Sequence, residues 1–197
     1  MPAYADAMRW DALFDDMEAQ LASERLRGLE SEISERARVE LAGIDVSDRL
    51  RGAIGQKIDM TLRSGTQVSG SLSHVGSESL VLDEGRHQWL VPVTAVLTYQ
   101  GLGRQAQAGQ SKASVRLGLA SALRVLARDR AELAVHLLES ARGEWTMRGV
   151  IDRVGRDHFD FAVMFPGEVR RSGNVVSVAT IPFQALAALR SLRGQDF

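Results

Sequence analysis

The chain contains no cysteine, few aromatic residues and no long apolar run, and these absences exclude several classes of protein. Without cysteine among its 197 residues, the chain forms no disulfide, no thiolate metal site and no cysteine nucleophile. No run of about 18 apolar residues marks a transmembrane helix. The N-terminus, Met1 to Asp6, lacks the basic-then-apolar order of a signal peptide. We therefore expect a cytoplasmic protein that does not enter a membrane.

The composition favours a packed globular protein with an uneven charge distribution. Apolar residues make up 45% of the chain, which is enough for one domain or two small ones. Residues 1–50 carry a net charge of −6 and residues 111–197 carry +4, while the whole chain carries −1. A net charge this small does not favour a polyanionic partner.

The first segment predicts a long amphipathic helix. Helix formers dominate from Asp6 to about Leu41. An apolar stripe on this helix reaches Leu21 and resumes at Leu26. This five-residue step, together with Gly28, predicts either a kink or two helices. An apolar stripe of this kind has to be covered, either by the body of the same chain or by a second copy. We expect a homo-oligomer, a homodimer built partly on this helix, with self-association through Trp10, Phe14, Met17 and Leu21.

From about residue 57 the apolar period falls from 3.6 to 2, which predicts strands. After a short helix at residues 47–53, alternating segments separated by glycine turns occur near residues 58–62, 67–75, 80–82, 88–91 and 96–99. Five short strands at this spacing are typical of a small closed barrel. Gly70 inside the second strand suits the sharp bend that such a barrel needs.

The strand pattern then repeats, which predicts a second barrel. The segment 70–76 aligns with 149–155 at an offset of 79, and 91–96 aligns with 181–186 at an offset of 90. A helix predicted over 114–128 precedes the second set of strands. The sequence thus predicts an α+β fold, a long N-terminal helix followed by two helix-plus-five-stranded barrels. The predicted domains are a helix at 1–46, a first barrel at 47–102, a linker at 103–113 and a second barrel at 114–197.

The glycine and apolar positions of the first strand set resemble the Sm-like fold, in particular its bacterial Hfq branch. The pattern reads Leu62…Gly65…Val68-x-Gly70-x-Leu72-x-x-Val75-Gly76…Leu80-Val81-Leu82, and SH3-like barrels share it. The whole chain is also similar to actinobacterial proteins of similar length. The resemblance implies small five-stranded barrels and nothing about RNA contacts. Glycine stands at 76 and 155, where Sm-like RNA binders usually have aspartate, and the Tyr-Lys-His signature is missing near residues 85–95.

Candidate chemistry is sparse, and no catalytic residue, metal site or cofactor is predicted. The four histidines form no His-x-His or His-x-x-x-His pair. In the segment Asp157-His158-Phe159-Asp160, His158 and Asp160 would share one face of a strand, and a solvated strand face is the expected interpretation.

Two binding functions are open at this point. A non-catalytic adaptor that binds proteins is favoured by the acidic helix and by barrel edge strands able to pair with a partner. RNA or DNA binding of the Sm-like type is the alternative, since arginine can contact phosphates and stack on bases. For either partner, the expected contact residues are Arg116, Arg124, Arg128, Arg170 and Arg171.

Overall fold

The computed structural model describes residues 4–107, 118–138, 146–164 and 175–192, apart from the side chains of residues 4–13 and 30. The helices in these ranges are α1 (Tyr4–Ala42), α2 (Val46–Gly52) and α3 (Leu119–Arg128). The strands are β1 (Lys57–Leu62), β2 (Gln67–Val75), β3 (Ser79–Glu84), β4 (His87–Pro92), β5 (Val96–Gln100), β6 (Leu133–Leu137), β7 (Thr146–Val154), β8 (His158–Met164), β9 (Val175–Pro182) and β10 (Leu186–Ser191). Two compact units result, residues 1–45 and residues 46–197.

Helix α1 runs through Gly28 without a break, so the alternative of two separate helices is wrong. Its surface carries ion pairs one turn apart, such as Arg36 with Glu32 at 2.9 Å, which add a few tenths of a kcal/mol to an isolated helix, about 0.2–0.5 per pair. Among the described helices, including this one, none combines the length and the apolar character that spanning a membrane requires.

The expectation of two separate barrels is wrong, because the ten strands form one antiparallel sheet. Its strand order is β5-β1-β2-β3-β4-β10-β6-β7-β8-β9, with helices making the fold α+β. Strand β4, predicted as the fourth strand of the first barrel, pairs with β10 through Leu90 opposite Leu189 and Trp89 opposite Arg190. Ala187 of β10 is fully buried in the core formed mainly by β1 to β4, in the first half of the sheet. A strand from the second half therefore completes the first half, which leaves no barrel closed on itself.

The two halves of the sheet share one strand order and one register. Strands β5-β1-β2-β3-β4 and strands β10-β6-β7-β8-β9 follow each other in the same sequence of neighbours. Leu72 pairs with Leu82 in the first half, and Ile151 pairs with Phe161 in the second, at the offset of 79. A register irregularity follows each of these pairs, at the same place in both halves. The repeat in the sequence is thus a repeat of strand pairing inside one sheet.

Glycine at positions 70 and 149 is required by close approach of a neighbouring strand. A Cβ atom on Gly70 would lie 2.7 Å from the carbonyl oxygen of Asp83 on β3. On Gly149 it would lie 1.9 Å from the carbonyl oxygen of Ala162 on β8, which no side chain can tolerate without a backbone shift. The two glycines stand at equivalent positions, and contact with the adjacent backbone, more than a bend, explains them.

Helix α3 lies against β7 and begins at a cap supplied by a distant residue. The backbone N–H of Leu119 donates a hydrogen bond of 2.8 Å to Oε2 of Glu78, which precedes β3. Glu78 thereby satisfies one of the N–H groups that the start of a helix leaves without a partner. Its negative charge also suits the positive end of the helix dipole. The contact ties α3, which precedes the second set of strands, to the first half of the sheet.

We expect Glu78→Ala to lower the free energy of unfolding by about 1 kcal/mol, because it removes the cap from α3. Glu78→Gln keeps an oxygen acceptor and should lose less than half as much. Urea unfolding followed by circular dichroism measures both variants. Equal losses for the two variants, or none for alanine, would contradict a capping role.

Candidate functional site

An apolar groove of about 350 Å³ opens between α3 and the sheet. It lies at the joint of the two halves, which is the pairing of β4 with β10. Its floor is a row of side chains across three neighbouring strands, in which Val81 lies opposite Leu90 and Leu90 opposite Leu189. Side chains of α3 form the wall. The complete lining consists of His74, Ser79, Val81, Gln88, Leu90, Ala122, Val125, Leu126, Leu133, Leu189 and Ser191.

Strands β3 and β4 build the floor because they carry apolar residues on both faces. Leu80 and Leu82 are fully buried in the core of the first half, whereas Val81 between them packs against the core of the second half. Leu90 and Val91 divide between the two cores in the same way. Consecutive apolar residues are typical of strands covered on both faces. The groove is the part of this second face that α3 does not cover.

The wall of the groove includes an apolar side chain that the fold leaves open. Val125 of α3 is 44% exposed, although Leu123 of the same helix is fully buried. A valine exposed beside an apolar groove adds to a surface that a ligand can cover.

Polar groups occur at the rim of the groove and hold β4 to β10. The backbone N–H of Gln88 donates a hydrogen bond of 2.8 Å to the Oγ of Ser191, and Nδ1 of His87 lies 2.8 Å from the carbonyl oxygen of Ser191. The lining residues include no Asp, Glu, Lys or Arg. The groove therefore offers an apolar surface with a few hydrogen-bonding groups and no ion pair for a charged ligand.

The segment at Asp157 to Asp160 forms two separate polar contacts. Nδ1 of His158 donates a hydrogen bond of 2.9 Å to Asp157, and this bond lowers the pKa of the Asp157 carboxyl. Asp160 instead accepts a hydrogen bond of 2.8 Å from the hydroxyl of Thr180 on β9. In the described part of the chain, no three Asp, Glu or His side chains group in a way that could hold a metal ion. These contacts join neighbouring strands and turns.

Of the five predicted contact arginines, the structure describes two. Arg124 and Arg128 lie one turn apart on α3, and both are exposed. A guanidinium nitrogen of Arg124 donates to the carbonyl oxygen of Gly155 at 3.4 Å, and Nε of Arg128 lies 3.3 Å from a carboxylate oxygen of Asp129. Arg116, Arg170 and Arg171 lie outside the described residues.

The predicted self-association residues lie on α1, where the described members are exposed. The exposed fraction is 57% for Phe14 and 50% for both Met17 and Leu21. The side chain of Trp10 lies outside the described residues. The same stripe continues along the helix as exposed Leu26, Leu29 and Ile33.

The groove was not predicted from the sequence, although two of the strands contain runs that are consistent with it. The runs Leu80-Val81-Leu82 and Leu90-Val91 depart from strict alternation, which indicates a second covered face. The residues that cover this face lie much further along the chain, in α3 and β10. No family model and no curated protein matches the sequence.

Proposed function

We propose that this protein is a non-catalytic adaptor whose groove binds apolar side chains of a partner polypeptide. The observation that carries the proposal is the apolar groove lined by Val81, Leu90 and Leu189 beside the exposed Val125 of α3. Its volume of about 350 Å³ lies at the small end of the range for ligand pockets, about 300–1,000 Å³. A groove between a helix and a sheet suits an amphipathic segment that inserts its apolar residues.

The energy available in the groove indicates that a partner contacts more than one surface. Burying a single large apolar side chain contributes about 1.5–3 kcal/mol. Ordering the partner opposes this gain, and micromolar affinity needs about 8 kcal/mol net. Helix α1, with its exposed stripe in a separate compact unit, supplies a second contact surface for a partner or for another copy of the chain. Two weak contacts in one chain raise the overall affinity, as expected of an adaptor.

Charge supports a polypeptide partner over a nucleic acid. The groove has no arginine or lysine in its lining. Arg124 and Arg128 both hydrogen-bond to groups of the protein itself, a carbonyl and a carboxylate. A chain with net charge −1 gains little from counterion release on a polyanion.

Photo-crosslinking tests the proposal. A photoreactive residue at Val125 in the full-length chain, expressed in its native cells, should give a discrete adduct with one polypeptide. The matched control places the same residue at Asp129, which is exposed beyond the end of α3 and does not line the groove. Leu189→Glu would destabilise the fold, so the substitution chosen to weaken partner binding is Gln88→Glu at the exposed rim. We expect this charge to reduce the adduct at least several-fold.

Three outcomes would overturn the proposal. The first is an equal adduct at both positions, which indicates non-specific contact. The second is an adduct with nucleic acid at position 125, which favours the alternative function. The third is no adduct at position 125 in native cells. A filter-binding assay with single-stranded RNA and duplex DNA at low salt provides an independent check, and we expect no binding at micromolar protein.

A further inference from the structure

The sheet ends in two strands that correspond, in the sequence repeat, to the two strands paired at the joint between the halves. Strand β4 pairs with β10 at the joint. At the repeat offset of 90, β9 is the counterpart of β4 and β5 is the counterpart of β10. Strands β9 and β5 are the two outermost strands of the sheet. Within the described residues, each therefore has an edge without a paired strand where its counterpart has a partner.

Neither outer strand carries a charge that would protect its edge, although each has a register irregularity of the kind that β10 also has at the joint. Neither Val175–Pro182 nor Val96–Gln100 contains a charged residue. Natural edge strands are commonly blunted by charges, inserted bulges or a covering segment. Here the edges expose large apolar side chains, with exposed fractions of 66% for Leu97, 53% for Val176 and 58% for Val178. Such edges favour pairing with another strand.

Burial at the joint shows what pairing would do to β5. The counterpart of Leu97 is Ala187, which is fully buried, and the counterpart of Tyr99 is Leu189, which is 1% exposed. The hydroxyl of Tyr99 is buried and has no hydrogen-bond partner among the described residues. Burial also raises the pKa of Tyr99 to about 12. A buried hydroxyl without a partner is uncommon.

We propose that β9 of one copy pairs with β5 of a second copy, antiparallel and in the register of the β4–β10 joint. This register places Thr180 of one copy opposite Tyr99 of the other, and Ala179 opposite Gln100. The contact joins two different edges, so it is head-to-tail and leaves one free β5 and one free β9 at the ends of any open assembly. The assembly becomes finite when those ends meet in a ring. The inference does not depend on the groove or on its partner.

Engineered disulfides test the register, because the chain has no cysteine of its own. In the full-length double variant Ala179→Cys with Gln100→Cys, the paired Cα atoms should lie about 4.5–5.5 Å apart, within the range that a disulfide bridges. Mild oxidation should give covalent multiples of the 21.5 kDa chain on a non-reducing gel. The control, Ala179→Cys with Val96→Cys, places the second cysteine four residues away, roughly 13 Å along the strand. We expect no crosslinking there.

A second pair of variants tests the assembly without oxidation. We expect Leu97→Lys with Val178→Lys to convert the multimer to a monomer in light scattering, because each lysine places a charge at an edge. The control Ile54→Lys replaces an apolar side chain that is also 49% exposed but lies outside both edges, and it should keep the multimer. A monomeric unsubstituted protein at every concentration would overturn the proposal. So would equal crosslinking by the two cysteine pairs, or a multimer that survives both edge lysines.

Discussion

Replacing Gly149 with valine is expected to lower the free energy of unfolding by about 3 kcal/mol or more, the upper end for overpacked sites. The reason is steric. A Cβ atom at this position would lie 1.9 Å from the carbonyl oxygen of Ala162 and 3.1 Å from Cε1 of Phe161. The carbonyl belongs to the neighbouring strand of the sheet, so relief requires β7 and β8 to separate locally. That separation would weaken the strand pairing in the centre of the second half.

Two control positions test whether the loss of stability follows the closeness of the neighbouring backbone. Gly70 is the equivalent residue in the first half, where the nearest backbone oxygen would be 2.7 Å from an added Cβ atom, and Gly70→Val should cost about 1–3 kcal/mol. Gly28 in α1 has nothing within 4 Å, and Gly28→Ala should leave the sheet unaffected. Urea unfolding followed by circular dichroism gives the order of stability. A Gly149→Val protein as stable as the unsubstituted one would show that the strands do not approach so closely.

The second large effect is expected at Trp89, where Trp89→Ala should cost about 3–5 kcal/mol. Its side chain is 7% exposed and joins the two halves of the sheet. Nε1 donates a hydrogen bond of 2.7 Å to Glu84 on β3. The ring lies 5.1 Å from the ring of His136 on β6, and the guanidinium of Arg190 on β10 lies 5.7 Å from its centroid. Alanine would leave a cavity at the joint and remove all three contacts.

Trp89→Phe separates packing from hydrogen bonding at this position. Phenylalanine keeps an aromatic ring against His136 and Arg190 but cannot donate to Glu84, so we expect a loss of about 1–2 kcal/mol. Chemical unfolding of both variants gives the comparison. If packing across the joint holds the halves together, alanine also broadens the transition, because the halves then unfold less cooperatively. Equal losses for alanine and phenylalanine would mean that the hydrogen bond, and not packing, dominates.

The positions of the first five strands were predictable because each strand carries its own pattern. Alternation at Ile58, Met60 and Leu62 reflects a strand with one face in the core, and these three side chains are indeed buried. Glycine turns separate the strands, and Gly65 and Gly85 adopt the positive φ that such turns need. The core role of Phe159 and Phe161, both fully buried, also follows from this alternation.

The joint between the halves was not predictable, because strand partners far apart in sequence leave no local signal. Nothing in the residues of β4 indicates whether it closes on β5 or accepts β10. The small side chains of Ala187 and Ala188 are compatible with a tight joint, but they acquire this meaning only when both neighbours are known. The groove was missed for the same reason, since its floor belongs to the joint. The contact arginines rested on charge alone, which specifies no partner.

The joint also sets the order in which the first half can be completed during synthesis. Strand β4 ends at Pro92, but its neighbour β10 begins at Leu186. At about 5–20 residues per second, a ribosome needs roughly 5–20 s to make the intervening stretch. Throughout this interval the first core lacks Ala187 and Ala188, and the edge of β4 is open. The nascent chain is therefore an incomplete sheet throughout this interval, and its open edge is accessible to chaperones.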